Sequence, residues 1–110
     1  MKFLVQSHAQ THATVEAMTP HLVAEAAESW RCYLEGFIRQ AYFRAPPAAP
    51  GAVLVVEADS LDHAQRLMDA MPLCRAGLVT FEVTPIGPFL PWAALLSTES
   101  TPAAVTAATT

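Results

Sequence analysis

The stretch FIRQAYFRAPPAAPGAVLVVEA (Phe37–Ala58) contains two strand-like segments in direct succession. In the first segment Arg39 and Gln40 lie at the centre and neither face is fully apolar, which is typical of a strand at the edge of a sheet. The three prolines that follow cannot continue a hydrogen-bonded ladder, so they predict a loop. The second segment, Ala52–Ala58, is almost entirely apolar and predicts a central strand.

A helix and a further strand are predicted on each side of this strand pair. On the N-terminal side, Lys2–His8 alternates between apolar and polar residues, and a helix follows from Thr19-Pro20 to Gly36, with Thr19 as its N-cap. The segment between that strand and that helix is predicted to be a linker. On the C-terminal side, Ser60 can cap a second helix, and Leu78–Ile86 alternates as a strand.

The resulting order is β-α-β-β-α-β, which is the ferredoxin-like α+β pattern. Right-handed crossovers then place both helices on one face of a four-stranded antiparallel sheet with strand order 4-1-3-2. The other face stays open and is partly apolar and partly polar. It carries Leu4, Gln6 and His8 from the first strand and Thr80, Glu82 and Thr84 from the last. We therefore expect two subunits to pack these faces together around a shared cavity, as in a dimeric α+β barrel.

The first predicted helix has an apolar stripe and an acidic outer side. Helical spacing places Trp30 on the apolar stripe, where it is expected in the core. Glu25, Glu28 and Glu35 fall largely on the other side. Gly36 suits the left-handed backbone conformation that often ends a helix.

The composition indicates one domain with an appended C-terminal segment. The chain has 110 residues, of which 53% are hydrophobic, and this apolar content is high enough to favour an interface between subunits. We expect the domain to span residues 1–96, with an apolar arm at 87–96 that contains two prolines. The low-complexity segment 97–110 is expected to be disordered. The sequence leaves open whether dimers associate further through the arm.

The charge pattern disfavours several classes of partner. A net charge of −4 without a basic patch argues against nucleic acid. The absence of a long apolar run, a basic amphipathic helix and a signal-peptide core argues against a membrane and predicts a cytoplasmic location. Cys32 and Cys74 are then expected to be reduced thiols. Their spacing and the scattered histidines predict no metal site.

Three stretches together resemble the muconolactone isomerase family of dimeric α+β barrels: YLEGFIRQAYFR, GAVLVVEADSLDHAQRLMDAMPL and GLVTFEVTPIGPF. The shared elements are a glycine that ends the first helix, an arginine in the second strand, the turn Met71-Pro72-Leu73 and the EVTP of Glu82–Pro85. The resemblance covers Met18–Phe89 and implies a cofactor-free isomerase that moves a double bond in a small unsaturated lactone or related carbonyl compound. The segment Cys74–Gly77 departs from the family pattern, which indicates a diverged relative.

Such a reaction needs a base, a donor for the enolate-like oxygen and an acid, and it requires neither a metal nor a nucleotide. We predict His8 and Glu82 as the catalytic residues. His8 ends the first strand on the same side as Gln6, and its alternative role is that of a solvated histidine. Glu82 would have a raised pKa in an apolar cavity, and its alternative is an interface ion pair with Arg39 or Arg44.

The predicted substrate-binding residues are Gln6, Gln40, Tyr42, Arg39 and His21. Tyr42 shares a face with Gln40 and can donate to a substrate oxygen, or it can serve as an interface tyrosine. Arg39 points the other way and can instead pair with Glu35 or lie along the first helix. His21, in the first turn of that helix, can overhang the cavity mouth or lie on the surface.

A second class of function keeps the fold and drops the isomerisation. Dimeric α+β barrels also include cofactor-independent monooxygenases, haem-binding enzymes and non-catalytic binders of small ligands, and fold alone does not choose among them.

Overall fold

The computed structural model describes residues 1–96, and the tail predicted at 97–110 lies outside the described residues. The elements follow the predicted order with additional short helices. They are β1 (Lys2–Ala9), α1 (Val15–Met18), a 3-10 turn (Thr19–His21), α2 (Leu22–Leu34), β2 (Ile38–Phe43), β3 (Ala52–Glu57), α3 (Leu61–Asp69), α4 (Pro72–Arg75), β4 (Val79–Ile86) and α5 (Leu90–Leu95).

The four strands form one antiparallel sheet in the order β2-β3-β1-β4, which confirms the predicted 4-1-3-2 topology. Gln6 lies opposite Val53 on one side and Glu82 on the other. Because residues that face each other across strands point to the same side of a sheet, this register places the polar positions of β1 and β4 on one face. We call it the open face, since within residues 1–96 the helices α2 and α3 contribute to the core on the other side of the sheet.

The core lies between the opposite face of the sheet and the helices. Its largest fully buried side chains are Phe3, Val5, Val56, Met68 and Met71. Burying each of them stabilises the fold by roughly 1.5–3 kcal/mol. Helix α3 packs against β4, whereas α2 packs against α4 and β2. The sheet is therefore covered unevenly, and this unevenness leaves the space described below.

The helical region begins earlier than the sequence predicted. Thr14 caps α1, because its Oγ1 accepts a hydrogen bond from the Ala17 amide at 3.1 Å. The predicted N-cap, Thr19, instead donates its hydroxyl to the Val15 carbonyl at 2.6 Å. Part of the predicted linker is thus helical, and Pro20 is accommodated in the 3-10 turn that leads into α2.

Two predictions for the faces of α2 are wrong. Trp30, predicted in the core, is 60% exposed, and Glu25, predicted on the outer side, is half-buried. Helical periodicity identifies which residues share a side of a helix, but it carries no information on how far the opposing sheet extends beneath them. Here the apolar stripe overhangs a gap.

Strand β2 contains a bulge at Arg39. Ile38 lies opposite Val56 on the core side, whereas Gln40 lies opposite Val55 on the open face. In a regular strand residues two apart share a face, so the extra residue separates two positions that the sequence placed together. The bulge allows Ile38 to be buried while Gln40 and Tyr42 face outward with the open-face residues of β1.

Candidate functional site

A cavity of about 840 Å³ lies between α2 and the core side of the sheet. This volume is within the ~300–1,000 Å³ that small-molecule sites usually occupy. Its floor is apolar and is formed by Ile38, Leu54, Met68, Met71 and Phe81. We call it the helix-side cavity. The sequence predicts a cavity on the open face instead, so the helix-side cavity is a finding of the structure.

Aromatic side chains surround the mouth of the helix-side cavity. Trp30 and Tyr33 of α2 stack with ring centroids 5.4 Å apart and an interplanar angle of 24°. Phe43, at the end of the edge strand β2, also lines the cavity and is 69% exposed. Large apolar side chains that are exposed together around a concave site are typical of a surface that binds a ligand or partner.

Glu25 is the acidic residue of the cavity wall. Its Oε1 accepts a hydrogen bond from the Leu73 amide at 2.9 Å. Leu73 lies in the first turn of α4, directly after Pro72, where backbone amides lack partners within the helix. Glu25 therefore connects α2 to the start of α4. In the described part of the chain its second oxygen, Oε2, makes no hydrogen bond.

The surroundings of Glu25 favour its protonated form. Burial away from water raises the pKa of this carboxyl above its ordinary value, the hydrogen bond from Leu73 opposes that shift, and the nearby negative charge of Glu28 adds to it. A carboxyl group with a raised pKa in an apolar cavity is a common feature of residues that transfer protons.

The predicted catalytic residues His8 and Glu82 are in contact on the open face. His8 Nε2 lies 3.2 Å from Glu82 Oε1, and both side chains are more than half exposed. The register explains this contact, because His8 lies opposite Thr80 and Gln6 lies opposite Glu82, so that His8 and Glu82 are diagonal neighbours. Gln6, predicted to bind substrate, is the direct cross-strand partner of Glu82.

The other predicted binding residues are dispersed. Gln40 and Tyr42 belong to the open face by their pairing with Val55 and Val53, and Tyr42 also borders the helix-side cavity at the sheet edge. Arg39 Nε donates to the Gly36 carbonyl at 2.5 Å, so its side chain folds back towards the end of α2. His21 ends the 3-10 turn and does not line the cavity.

The position of Glu25 in the cavity wall has a partial signature in the sequence. Glu25, Ser29 and Tyr33 are spaced at i, i+4 and i+8 on α2, so they form a strip of polar-tipped residues beside the apolar stripe. All three line the cavity. Such a strip at the border of an apolar face is as compatible with a cavity wall as with a solvated surface, and periodicity alone cannot distinguish them.

Residues 1–96 contain no group of three or more histidine, cysteine, aspartate or glutamate side chains that could hold a metal ion. None of the helices in this range has the length and apolar character needed to cross a membrane.

Comparison with known proteins places this geometry in a structural context. No protein-family model and no curated protein matches the chain. The crystal structure of muconolactone isomerase matches 80% of this chain and 90% of its own chain, with a TM-score of 0.63 and 17% identity. The chain has the muconolactone isomerase fold. The resemblance predicted from the sequence is therefore confirmed at the level of this fold.

A second protein with the muconolactone isomerase fold was solved with a ligand. It is the 5-chloro-2-hydroxyhydroquinone dehydrochlorinase of Burkholderia phenoliruptrix AC1100, in complex with 2,5-dihydroxybenzoquinone. It matches 79% of this chain and 94% of its own chain, with a TM-score of 0.62 and 20% identity. At such identities the likeness concerns the fold, and the activity of this chain is a separate question.

Proposed function

We propose that the protein is a cofactor-free enzyme that isomerises a small unsaturated carbonyl compound by proton transfer in the helix-side cavity. The observation that carries this proposal is Glu25, a carboxyl group in apolar surroundings with one oxygen anchored and the other free. The two neighbours with the same fold support it, since one is a lactone isomerase and the other was solved with a small cyclic carbonyl compound.

The proposed reaction uses Glu25 as both base and acid. Glu25 Oε2 removes a proton from the carbon between the carbonyl group and the double bond, and the negative charge moves to the carbonyl oxygen. The hydroxyl group of Tyr33, which lines the cavity from α2, donates a hydrogen bond to that oxygen. Glu25 then returns the proton to the far end of the dienolate, so the double bond shifts into conjugation. No atom or electron is gained or lost overall.

The raised pKa of Glu25 assists both steps. A carboxylate with a higher pKa is a stronger base, and its protonated form persists long enough to return the proton to the substrate. The Leu73 amide fixes one oxygen and so limits the orientations of the other, which reduces the entropy lost when the substrate binds.

We further propose the predicted homodimer, formed through the open face. At the centre of this face Leu4, Val53 and Val55 are half-buried apolar residues without a covering layer of helices among residues 1–96. His8 and Glu82 would then lie inside the enclosed space between two subunits. They stay a predicted second centre for proton transfer, to be compared with Glu25 by mutation.

The test uses α-angelica lactone, a small lactone whose double bond can move into conjugation. Isomerisation in D₂O is followed by proton NMR, which reports both the double-bond shift and deuterium incorporation. We expect Glu25→Gln to lower the rate by at least ~100-fold, the usual contribution of a general base. The matched control Glu16→Gln removes the same charge at an exposed position outside the cavity lining and should retain the wild-type rate.

Other results assign the chemistry differently. If Glu82→Gln or His8→Ala removes turnover while Glu25→Gln retains it, the reaction centre lies on the open face. If the wild type neither isomerises the lactone nor exchanges its protons with solvent, the proposed reaction is wrong.

A second candidate function is non-catalytic binding of a small ligand. The hydrogen bond from the Leu73 amide to Glu25 favours this function, because a carboxylate that accepts an amide hydrogen bond in the first turn of a helix has a structural role without any catalytic one. Saturable binding without deuterium exchange would support this function over the isomerase.

A further inference from the structure

The ionisable side chains that line the helix-side cavity are acidic only, as far as residues 1–96 are concerned. Within the described residues its lining includes the carboxyl group of Glu25 and no lysine, arginine or histidine. An anionic ligand in this cavity would therefore lose water without meeting an opposite charge, and it would lie near an acid of its own sign. Both effects oppose the binding of carboxylates and phosphates.

The three arginines that directly follow a cavity-lining residue in the sequence all make hydrogen bonds or ion pairs outside the cavity. Arg31 on α2 bridges Glu28 and Glu35, with 2.6 Å between its Nη1 and Glu35 Oε2. Arg39 donates to the Gly36 carbonyl. Arg44 donates to backbone oxygens of Ser7 and Ala49 at 2.6 and 2.9 Å. Recruiting any of them to neutralise a bound anion would break contacts that the fold already makes.

The shape and lining of the cavity favour a flat ring. The stacked pair Trp30 and Tyr33 provides an aromatic wall, and Phe43 provides a second aromatic surface at the mouth. Met68 and Met71 lie on the floor, and thioether groups pack well against aromatic edges. Glu25 Oε1 is occupied by the Leu73 amide, whereas Oε2 makes no hydrogen bond within residues 1–96 and can accept one from a hydroxyl group of the ligand.

We propose that the helix-side cavity selects an uncharged, flat, hydroxylated ring, such as a phenol or the cyclic enone tautomer of one, and rejects ligands that carry a carboxylate. The ring lies against Trp30 and Tyr33, and its hydroxyl group donates to Glu25 Oε2. This inference rests on the proposed function for the location of the site and names the class of its substrate.

The test compares two ligands that differ in one substituent. β-Naphthol is uncharged at neutral pH, and β-naphthoate has the same ring system with a carboxylate. Isothermal titration calorimetry on the full chain should show β-naphthol binding at least about tenfold more tightly, a difference of about 1.4 kcal/mol. Equal or tighter binding of β-naphthoate, or no binding of β-naphthol, would overturn the proposal.

Variants locate the preference within the molecule. Glu25→Gln removes the acidic acceptor and should reduce the preference for β-naphthol at least threefold. Glu16→Gln changes the net charge equally at an exposed position outside the cavity lining and should leave the preference unchanged. Trp30→Ala should weaken β-naphthol binding. If Glu16→Gln reduces the preference as much as Glu25→Gln does, the selectivity comes from the overall charge of the protein, and the proposal is wrong.

The outcome is separable from that of the proposed function. Selective binding of β-naphthol together with no exchange of α-angelica lactone would contradict the isomerase and leave the inferred ligand class standing. Exchange of the lactone together with tight binding of β-naphthoate would contradict the ligand class and leave the isomerase standing.

Discussion

At the scale of single residues, the burial of the Glu25 carboxyl group lowers the stability of the fold at neutral pH. Its pKa is raised in the folded protein, chiefly by burial, so folding favours the protonated form. At a pH below the pKa that Glu25 has in the unfolded chain, the carboxyl group is protonated in both states, and its burial does not lower the free energy of unfolding in this way. As the pH rises through the interval between the unfolded and the folded pKa, the folded state loses stability, and the loss persists at neutral pH.

The first prediction concerns the opposite effects of Glu25→Gln on stability and activity. The amide is uncharged and can still accept the hydrogen bond from Leu73, so the free energy of unfolding at neutral pH should equal or exceed that of the wild type. Turnover should fall by at least ~100-fold. Urea denaturation and the lactone assay measure the two quantities. A variant that loses both stability and activity would indicate a purely structural role.

The second prediction concerns the pH dependence of the reaction. In the proposed mechanism the carboxylate of Glu25 is the base, so kcat/KM should rise with pH and level off above its raised pKa, with a midpoint above the ordinary value of 4.5. The residual activity of Glu25→Gln should lack this step. A midpoint at or below the ordinary value would contradict the assignment of Glu25 as the base.

At the scale of elements, the loop between β2 and β3 is closed by one arginine. Arg44 Nη2 donates to the Ser7 carbonyl on β1, and Ser7 Oγ accepts from the Ala52 amide at 2.7 Å. Gly51 lies between these groups and is buried. The loop thereby connects three strands at one end of the sheet.

The third prediction follows from the space at Gly51. A β-carbon added there would overlap the Arg44 guanidinium and lie 2.9 Å from Ser7 Oγ. Gly51→Ala should therefore destabilise the fold by about 1–3 kcal/mol. Gly87→Ala is the matched control, because its added carbon meets nothing within 4 Å. The denaturant midpoints of the two variants measure the difference, and equal midpoints would contradict the packing described for this loop.

The elements also show which features the sequence determines. The element order β-α-β-β-α-β specifies the strand order, because right-handed crossover connections leave few other topologies. The sequence predicts the start of the helical region too late because Thr14 and Thr19 are both residue types that cap helices, and of the two Thr14 is the one that accepts an amide hydrogen bond. The bulge at Arg39 likewise depends on the pairing of β2 with β3, which no local pattern records.

The candidate site shows the same division. The contact between His8 and Glu82 follows from strand order and alternation, and both residues were predicted together on the open face. The helix-side cavity arises from the packing of α2 relative to the width of the sheet. This is a property of the assembled molecule, so the periodicity of α2 placed Trp30 in a core that does not extend that far.

At the scale of the whole molecule, the two proposed interaction sites lie on opposite faces of the sheet. The helix-side cavity belongs to one chain, and the open face is the surface proposed to join two chains. A change at the centre of the open face should alter assembly and leave the cavity intact.

The fourth prediction uses this separation. Val53→Lys places a charge at the centre of the open face and should convert the dimer to a monomer in sedimentation velocity experiments, because a buried unpaired charge is costly. Ala27→Lys, on the exposed side of α2, adds the same charge and should remain a dimer. The monomeric variant should still bind β-naphthol. A monomeric wild type would contradict the proposed homodimer.

The hydrogen bond between the Leu73 amide and Glu25 also gives the protein an internal spectroscopic reporter. An amide proton that faces a carboxylate shifts its resonance when that carboxylate gains a proton, and the Leu73 backbone lies outside the floor and the aromatic mouth of the cavity. The chemical shift of this single amide should therefore follow the ionisation of Glu25 in solution without any substrate. A ligand that donates to Oε2 should displace the same titration curve, so occupancy and protonation can be followed at one backbone position.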